Sequence, residues 1–321
     1  MTEPLFIGID IGTQGTKTVL CSLEGKIISE AFSPSVLEHP EDGAVTENPE
    51  RIFNSVISTI KKVISAPAAD GRRVAAIGID SQMAGILGVD KAFNAVTPLD
   101  SWLDSRCAGY TKLIKNEAEA ECIEKSGGQV INSHAPKILW WKHERPEAFS
   151  KIKKFVMPNG YAAARLCGLS ADYAFIDPTF LHFNNFSDNK NLAYNRNVLD
   201  AFGIDESLMP DIVPSEKIIG GILPEYAAAC GLSPDTKIIA GCGDTAASSL
   251  GAGIVREGLA YDVAGTASVF ASCSKSFSPD TQHGTLMLSR SVIDGLFLPL
   301  SYVTGGGMTL KWFSEISKTG L

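Results

Sequence analysis

Residues able to do chemistry cluster first in "FIGIDIGTQGTKTVL" (6–20), where Asp10, Gly12, Thr13, Gln14, Thr16 and Lys17 stand between two apolar runs. A glycine-rich turn between short strands can aim several backbone N–H groups at a phosphate with no side chains in the way. The hydroxyls of Thr13 and Thr16 add donors, and Lys17 adds a point charge. Asp10, closing its apolar run, can hold Mg²⁺ through water, because hard cations prefer oxygen ligands and keep much of their hydration. The same residues serve equally well as a plain hairpin turn with a solvated lysine. The segment is not a Walker A loop, lacking Gly-Lys-Ser/Thr, and no G-x-G-x-x-G opens a helix there.

Three further segments carry reactive or donor-rich side chains. In "AGCGDTAASSLGAG" (240–253), Asp244 stands where a strand gives way to a helix. It can act as a helix N-cap, or as a general base taking a proton from a hydroxyl under attack by a phosphoryl group. "DSQMAG" (80–85) and "SWLDSRC" (101–107) each mix polar donors with a large apolar side chain. Trp102 can form the flat wall of a sugar pocket with Gln82 and Asp104 on its hydroxyls; alternatively Trp102 is core and Asp104–Arg106 a surface pair. "TGGGMTLKWF" (304–313) reads as a glycine-rich turn opening a helix with Leu310, Trp312 and Phe313 facing inward. Free amides at such a start suit an anion, and a simple loop fits the residues as well.

The elements that must position these residues follow from apolar patterning. Residues 5–10, 16–22 and 27–32 predict an antiparallel meander with a tight first turn. Asn48-Pro49 opens a helix whose Ile52, Phe53, Val56, Ile57, Ile60, Val63 and Ile64 form one buried stripe. "RVAAIGID" (73–80) predicts a buried strand, continued in the same sheet by "GILGVD" (85–90). Helices are expected over 108–125, 136–143 and 159–167, with "KKFVMP" as a strand between the last two. Residues 184–197 read as a loop with at most one short strand. A second unit opens near 236–254, with "KIIA" a strand, "GCGD" a turn and the small-residue stretch a helix. "GLAYDVAGTASVFASCS" (258–274) then repeats the opening pattern of apolar run, Gly-Thr turn and returning strand.

The 321 residues suffice for two domains, with 45% apolar and 20% charged residues as in ordinary globular chains. A net charge of −8 without a basic cluster argues against a nucleic-acid partner, which needs a Lys/Arg patch to release counterions. The N-terminus lacks a signal-peptide layout and no window is apolar enough to span a membrane, so a cytoplasmic setting is expected. Seven scattered cysteines without C-x-x-C fit neither a disulfide framework nor a zinc site.

Together these segments resemble the FGGY carbohydrate kinases, most closely the xylulokinase-like members. "IGIDIGTQGTK" resembles the family's first phosphate hairpin, "GIDSQMAG" its sugar-lining segment, "WLDSRC" its W-x-D-x-R stretch and "APKILWW" its A-P-K-x-x-W signature. "AGCGDTAASSLGAG" resembles the segment of the catalytic aspartate, "AGTASVF" the second phosphate hairpin and "GGGMTLKWF" the helix opening after it. The order is the family's, and it covers the whole chain.

The resemblance implies an α/β, actin-like (ribonuclease-H-like) fold of two domains with ATP and Mg²⁺ in the cleft, closing on a small sugar or polyol. Residues 1–240 would be the sugar-binding domain and 241–321 the first part of a nucleotide domain that family members carry further. On that expectation the 321 residues alone turn over little or no substrate. The resemblance makes Asp244 the base and Asp10 the Mg²⁺-orienting group. Gly12, Thr13, Gln14 and Lys17, with Gly265, Thr266, Gly305 and Gly306, would hold the phosphates of ATP. Gln82, Met83, Ala84, Trp102, Asp104 and Thr245 would contact the sugar. Xylulokinase-like members typically have a histidine where this chain has Ala84, which leaves another ketose, a polyol or a sugar acid open beside D-xylulose. A homodimer is compatible with the resemblance; an actin- or chaperone-type ATPase switch and a non-catalytic sugar-binding fragment are the competing readings.

Overall fold

The computed structural model describes residues 3–264, 268–303 and 306–317. The expected meander is present: β1 (Leu5–Gly12) pairs antiparallel with β2 (Gly15–Ser22), and β2 with β3 (Ile27–Pro34). Gly12 pairs with Gly15, so the turn between β1 and β2 has only Thr13 and Gln14 at its tip. Position 15 admits only glycine, because a Cβ there would lie 2.4 Å from the Ser33 carbonyl oxygen.

Helix α1 (Pro49–Ile64) starts where Asn48 predicts it, the Asn48 side chain accepting the Glu50 and Arg51 N–H groups. Its buried Ile52, Phe53, Val56, Ile60 and Val63 cover one face of the sheet, each contributing about 1.5–3 kcal/mol of transfer free energy. Strand β4 (Val74–Ser81) lies parallel to β1 in the sheet centre. Helices α2 (Ala108–Ser126), α3 (His134–Glu144) and α4 (Pro158–Cys167) follow near their expected positions. Strands β5 (Ile218–Gly221), β6 (Lys237–Ile239) and β7 (Cys242–Gly243) complete a seven-stranded sheet. Its order is β5-β6-β4-β1-β2-β3, with β7 also on β4. Helix α5 (Asp244–Gly251) leaves directly from β7.

A second, four-stranded antiparallel sheet has the order β8 (Ala260–Ala264), β9 (Ser268–Ser272), β11 (Phe297–Val303), β10 (Met287–Arg290). The antiparallel pairing of β8 with β9 matches the two strands of the repeat expected from the sequence, while its Gly265-Thr266 turn lies outside the described residues. Helix α6 (Gly306–Ser317) follows β11.

Four expectations need correction. Residues 85–90 do not continue the main sheet: Ala84 takes a left-handed φ of 58° and turns the chain, so that Leu87–Val89 pairs with Lys154–Val156 instead. Part of "GCGD" is strand rather than turn, since Cys242 and Gly243 pair with Asp80 and Ser81. The 184–197 segment holds two short strands, Ser187–Asp188 and Ala193–Tyr194, paired with each other. Leu310, Trp312 and Phe313 do not face inward; Trp312 is 57% exposed, because no described element packs over that face of α6.

Candidate active site

The tetrapeptide Ile-Gly-Ile-Asp occurs twice, at 7–10 and 77–80, and the two copies lie side by side in parallel register. Asp10 and Asp80 are therefore neighbours at the ends of β1 and β4. On the other side of β4, Asp80 pairs with Cys242, two residues before Asp244. Three carboxylates thus meet where adjacent strands end. Burial, then the charges of Asp10 and Asp244, push the Asp80 pKa up to about 8. Burial likewise raises Asp244 to about 6, against the pull of the Thr245 N–H and hydroxyl. Lys17 reaches across the hairpin to the Asp10 carboxylate at 3.2 Å.

Beside this edge opens a cavity of about 440 Å³ whose lining includes Gln82, Met83, Ala84, Trp102, Asp244 and Thr245. Strands β9, β10 and β11 close its far side with Val269, Met287, Leu300 and Tyr302. Gln82 donates to Glu47 at 2.7 Å and accepts from the Ser101 hydroxyl at 3.3 Å, which fixes its amide. The Trp102 indole N–H donates to the Thr13 hydroxyl at 2.7 Å. The cavity wall is thereby tied to the tip of the first hairpin.

Helix α3 explains why two distant motifs belong together. The Lys137 ammonium, 1% exposed, donates to the Ala84 and Ser101 carbonyls, both at 2.7 Å, clipping the two cavity loops to each other. One turn on, Trp141 donates to Asp100 at 2.6 Å, while the Arg106 guanidinium lies 4.2 Å over the Trp140 ring. Arg106 also binds Asp100 at 2.6 Å, Asp104 at 2.9 Å and Glu41 at 3.0 Å. Burial raises Asp100 to about 6, with Arg106 and Lys137 holding it from rising further.

The N-terminal-domain model of the FGGY family of carbohydrate kinases matches residues 5–251. The chain belongs to the FGGY family of carbohydrate kinases. Gluconokinase of Bacillus subtilis (strain 168) is 28% identical over 96% of this chain and 59% of its own length. Xylulose kinase of the same strain is 26% identical over 96% of this chain and 61% of its own length. The ligand-bound xylulose kinase structure from Lactobacillus acidophilus superposes with a TM-score of 0.88 at 26% identity, covering 97% of this chain and 62% of that one. The chain thus spans about 60% of the length of these relatives, and its mixed α/β architecture is the actin-like fold of FGGY kinases.

Of the residues singled out in the sequence, Gln82, Met83, Ala84, Trp102, Asp244 and Thr245 are brought together in one cavity. Asp10, Gly12, Thr13, Gln14 and Lys17 form the hairpin beside it. Asp104 is not brought to the cavity: it is 1% exposed, and its carboxylate is spent on the Val45 N–H and Arg106. Gly265, Thr266 and Gly305 lie outside the described residues, while Gly306 is the first residue of α6. For Mg²⁺, the described residues contain no group of three or more His, Cys, Asp or Glu side chains able to cage a metal. No helix among the described residues is long and apolar enough to cross a membrane.

Sequence reasoning missed Asp80, Lys137 as a clip, and Asn132 and His182, which also line the cavity. The duplicated Ile-Gly-Ile-Asp signalled Asp80. No periodic pattern marks His182.

Proposed function

We propose that the protein transfers the γ-phosphoryl group of ATP to a hydroxyl of a small uncharged sugar, a ketose such as a pentulose or the related polyol. The observation that carries this reading is the opening of Asp244 into a cavity lined by Gln82, Trp102 and Thr245, at the strand edge that also bears Asp10 and the first hairpin. Phosphoryl transfer asks the protein for positioning and charge neutralisation rather than covalent work. Asp244 takes the hydroxyl proton, and its raised pKa of about 6 makes it a stronger base than an ordinary carboxylate while leaving it ionised at neutral pH. Amides of the Gly12–Lys17 turn and the Lys17 ammonium receive phosphate oxygens, as do the amides at Gly265-Thr266 and at Gly305-Gly306. Mg²⁺, held through water by Asp10, neutralises phosphate charge when bound. The Trp102–Thr13 hydrogen bond lets a sugar against Trp102 bear on the phosphate hairpin. Residues 1–240 act as the sugar-binding unit and 241–321 contribute to the nucleotide side.

The uncharged class is favoured because no described lysine or arginine lines the cavity, whereas an aldonate carboxylate calls for a cation or several fixed donors. The test is an ADP-coupled assay with MgATP and D-xylulose, D-ribulose, xylitol or D-gluconate, alongside calorimetry of each compound. ADP release that requires one of the neutral compounds is expected of a chain spanning the relatives' whole length, and little or none of these 321 residues alone. Equal ATP hydrolysis without sugar would replace the reading by an ATPase switch, and sugar binding without nucleotide binding by a non-catalytic fragment.

A further inference from the structure

His182 lines the same cavity as Asp244, is only 1% exposed, and has no hydrogen-bonding partner for either ring nitrogen among the described residues. An imidazole so buried normally has its polar atoms satisfied, and leaving them unpaired costs about 1–3 kcal/mol. Its position is not accidental. The 3₁₀ turn Pro178–Phe183 that carries it is stitched to the strand before Asp244, since the Gly243 N–H donates to the Thr179 hydroxyl at 2.8 Å. The Ser289 hydroxyl donates to the Thr179 carbonyl at 3.3 Å, tying the same turn to β10. From the other side Gly128 approaches so closely that a Cβ would sit 1.6 Å from the His182 carbonyl oxygen. The ring is therefore held at a fixed place relative to the Asp244 carboxylate.

Burial pushes the His182 pKa down to about 3. At neutral pH the ring is uncharged, with one N–H donor and one acceptor nitrogen. It cannot serve as a counter-ion for a carboxylate or phosphate. Whichever tautomer the neutral ring takes, one nitrogen carries the proton and the other is left as an acceptor. Phe183 packs against the ring with centroids 4.2 Å apart, and the cavity that His182 lines carries the apolar Met83, Ala84 and Ile131 together with the polar Gln82, Asn132, Thr245 and Tyr302.

We infer that His182 reads a hydroxyl of the uncharged sugar, accepting its proton in a hydrogen bond at a carbon other than the one phosphorylated, and so sets which sugar the site selects. The inference rests on the proposed kinase reading and adds to it a specificity-determining residue. A substrate lacking that hydroxyl leaves the ring unpaired, which is a stronger basis for discrimination than apolar contact alone.

The test uses the wild-type chain with xylitol, D-xylulose, D-ribulose and D-gluconate as separate probes. Calorimetry gives affinity, and ring-nitrogen NMR of imidazole-labelled protein reports on His182 directly. With a neutral probe that binds, the unprotonated His182 nitrogen is expected to shift upfield, the sign of a new donor. His182→Phe, which keeps a ring of similar size beside Phe183, is expected to weaken that Kd about 5- to 30-fold without lowering the thermal midpoint of the unliganded protein. Wild-type protein that binds none of the neutral probes overturns the kinase reading and the inference with it. Binding with an unmoved ring resonance, or with equal affinity in His182→Phe, overturns the inference alone; the NMR measurement stands even if the variant fails to fold.

Discussion

Replacing Lys137 by Met removes the clip between the two cavity loops while keeping the length of its stem. Lys137 donates to the Ala84 and Ser101 carbonyls at 2.7 Å each, and hydrogen bonds to a charged group contribute about 1.5–3 kcal/mol apiece. Their sum overstates the loss, because burying the ammonium is itself unfavourable, as its lowered pKa reflects. Against that, Asp100 and Asp104 lose a neighbouring positive charge and are left to Arg106, and breaking a buried charge cluster costs about 3–5 kcal/mol. A net loss of about 3 kcal/mol follows, equivalent to a midpoint lower by roughly 5–8 °C for a chain of this size. Ala84 should be affected as well, since its left-handed conformation aims its carbonyl at the ammonium. Thermal and urea unfolding with calorimetry of the bound sugar should show stability and affinity falling together. A midpoint within about 1 °C of wild type, with unchanged affinity, would refute the argument that Lys137 holds the site.

Other perturbations test neighbouring parts. Arg106→Lys keeps the charge but not the fork that reaches Glu41, Asp100 and Asp104, so a loss of about 2 kcal/mol in urea unfolding is expected. Gly15→Ala places a Cβ 2.4 Å from the Ser33 carbonyl; it should weaken MgATP more than sugar in paired titrations, an order that reversed would disprove the hairpin's assignment. Asp80 has a folded pKa of about 8, above its value of 3.8 in an unfolded chain. Its contribution to stability is therefore complete below about pH 4 and is lost as pH rises through about 8. Urea unfolding of Asp80→Asn should show a flatter pH dependence than wild type over that window. On the proposed reading Asp244 works ionised, and with its pKa near 6 kcat/KM should fall as pH drops below about 6, rather than below the usual carboxylate range.

The centre of the fold was legible because β-branched and apolar residues alternate or run unbroken in 5–22 and 73–80, and because Asn48-Pro49 is an unambiguous helix start. Residues 85–90 misled for a physical reason: their composition suits a strand, but the partner is chosen upstream, by the left-handed Ala84 that turns the chain toward Lys154–Val156. Asp104 misled because its neighbours in sequence say nothing of Val45, which claims its carboxylate from 59 positions away. His182 was invisible for a related reason, being placed by a 3₁₀ turn without periodic pattern and by Gly128, Gly243 and Ser289 from three other segments. The inward orientation read for Leu310, Trp312 and Phe313 followed from their apolarity alone, which describes what a face prefers and not what covers it.

The most direct test of the account is the turnover and sugar affinity of Asp244→Asn, which keeps the shape of the side chain and removes the proposed base. Sugar affinity should stay within about twofold of wild type while kcat falls by about 10²–10⁴. Undiminished turnover in that variant would show that a different group accepts the hydroxyl proton.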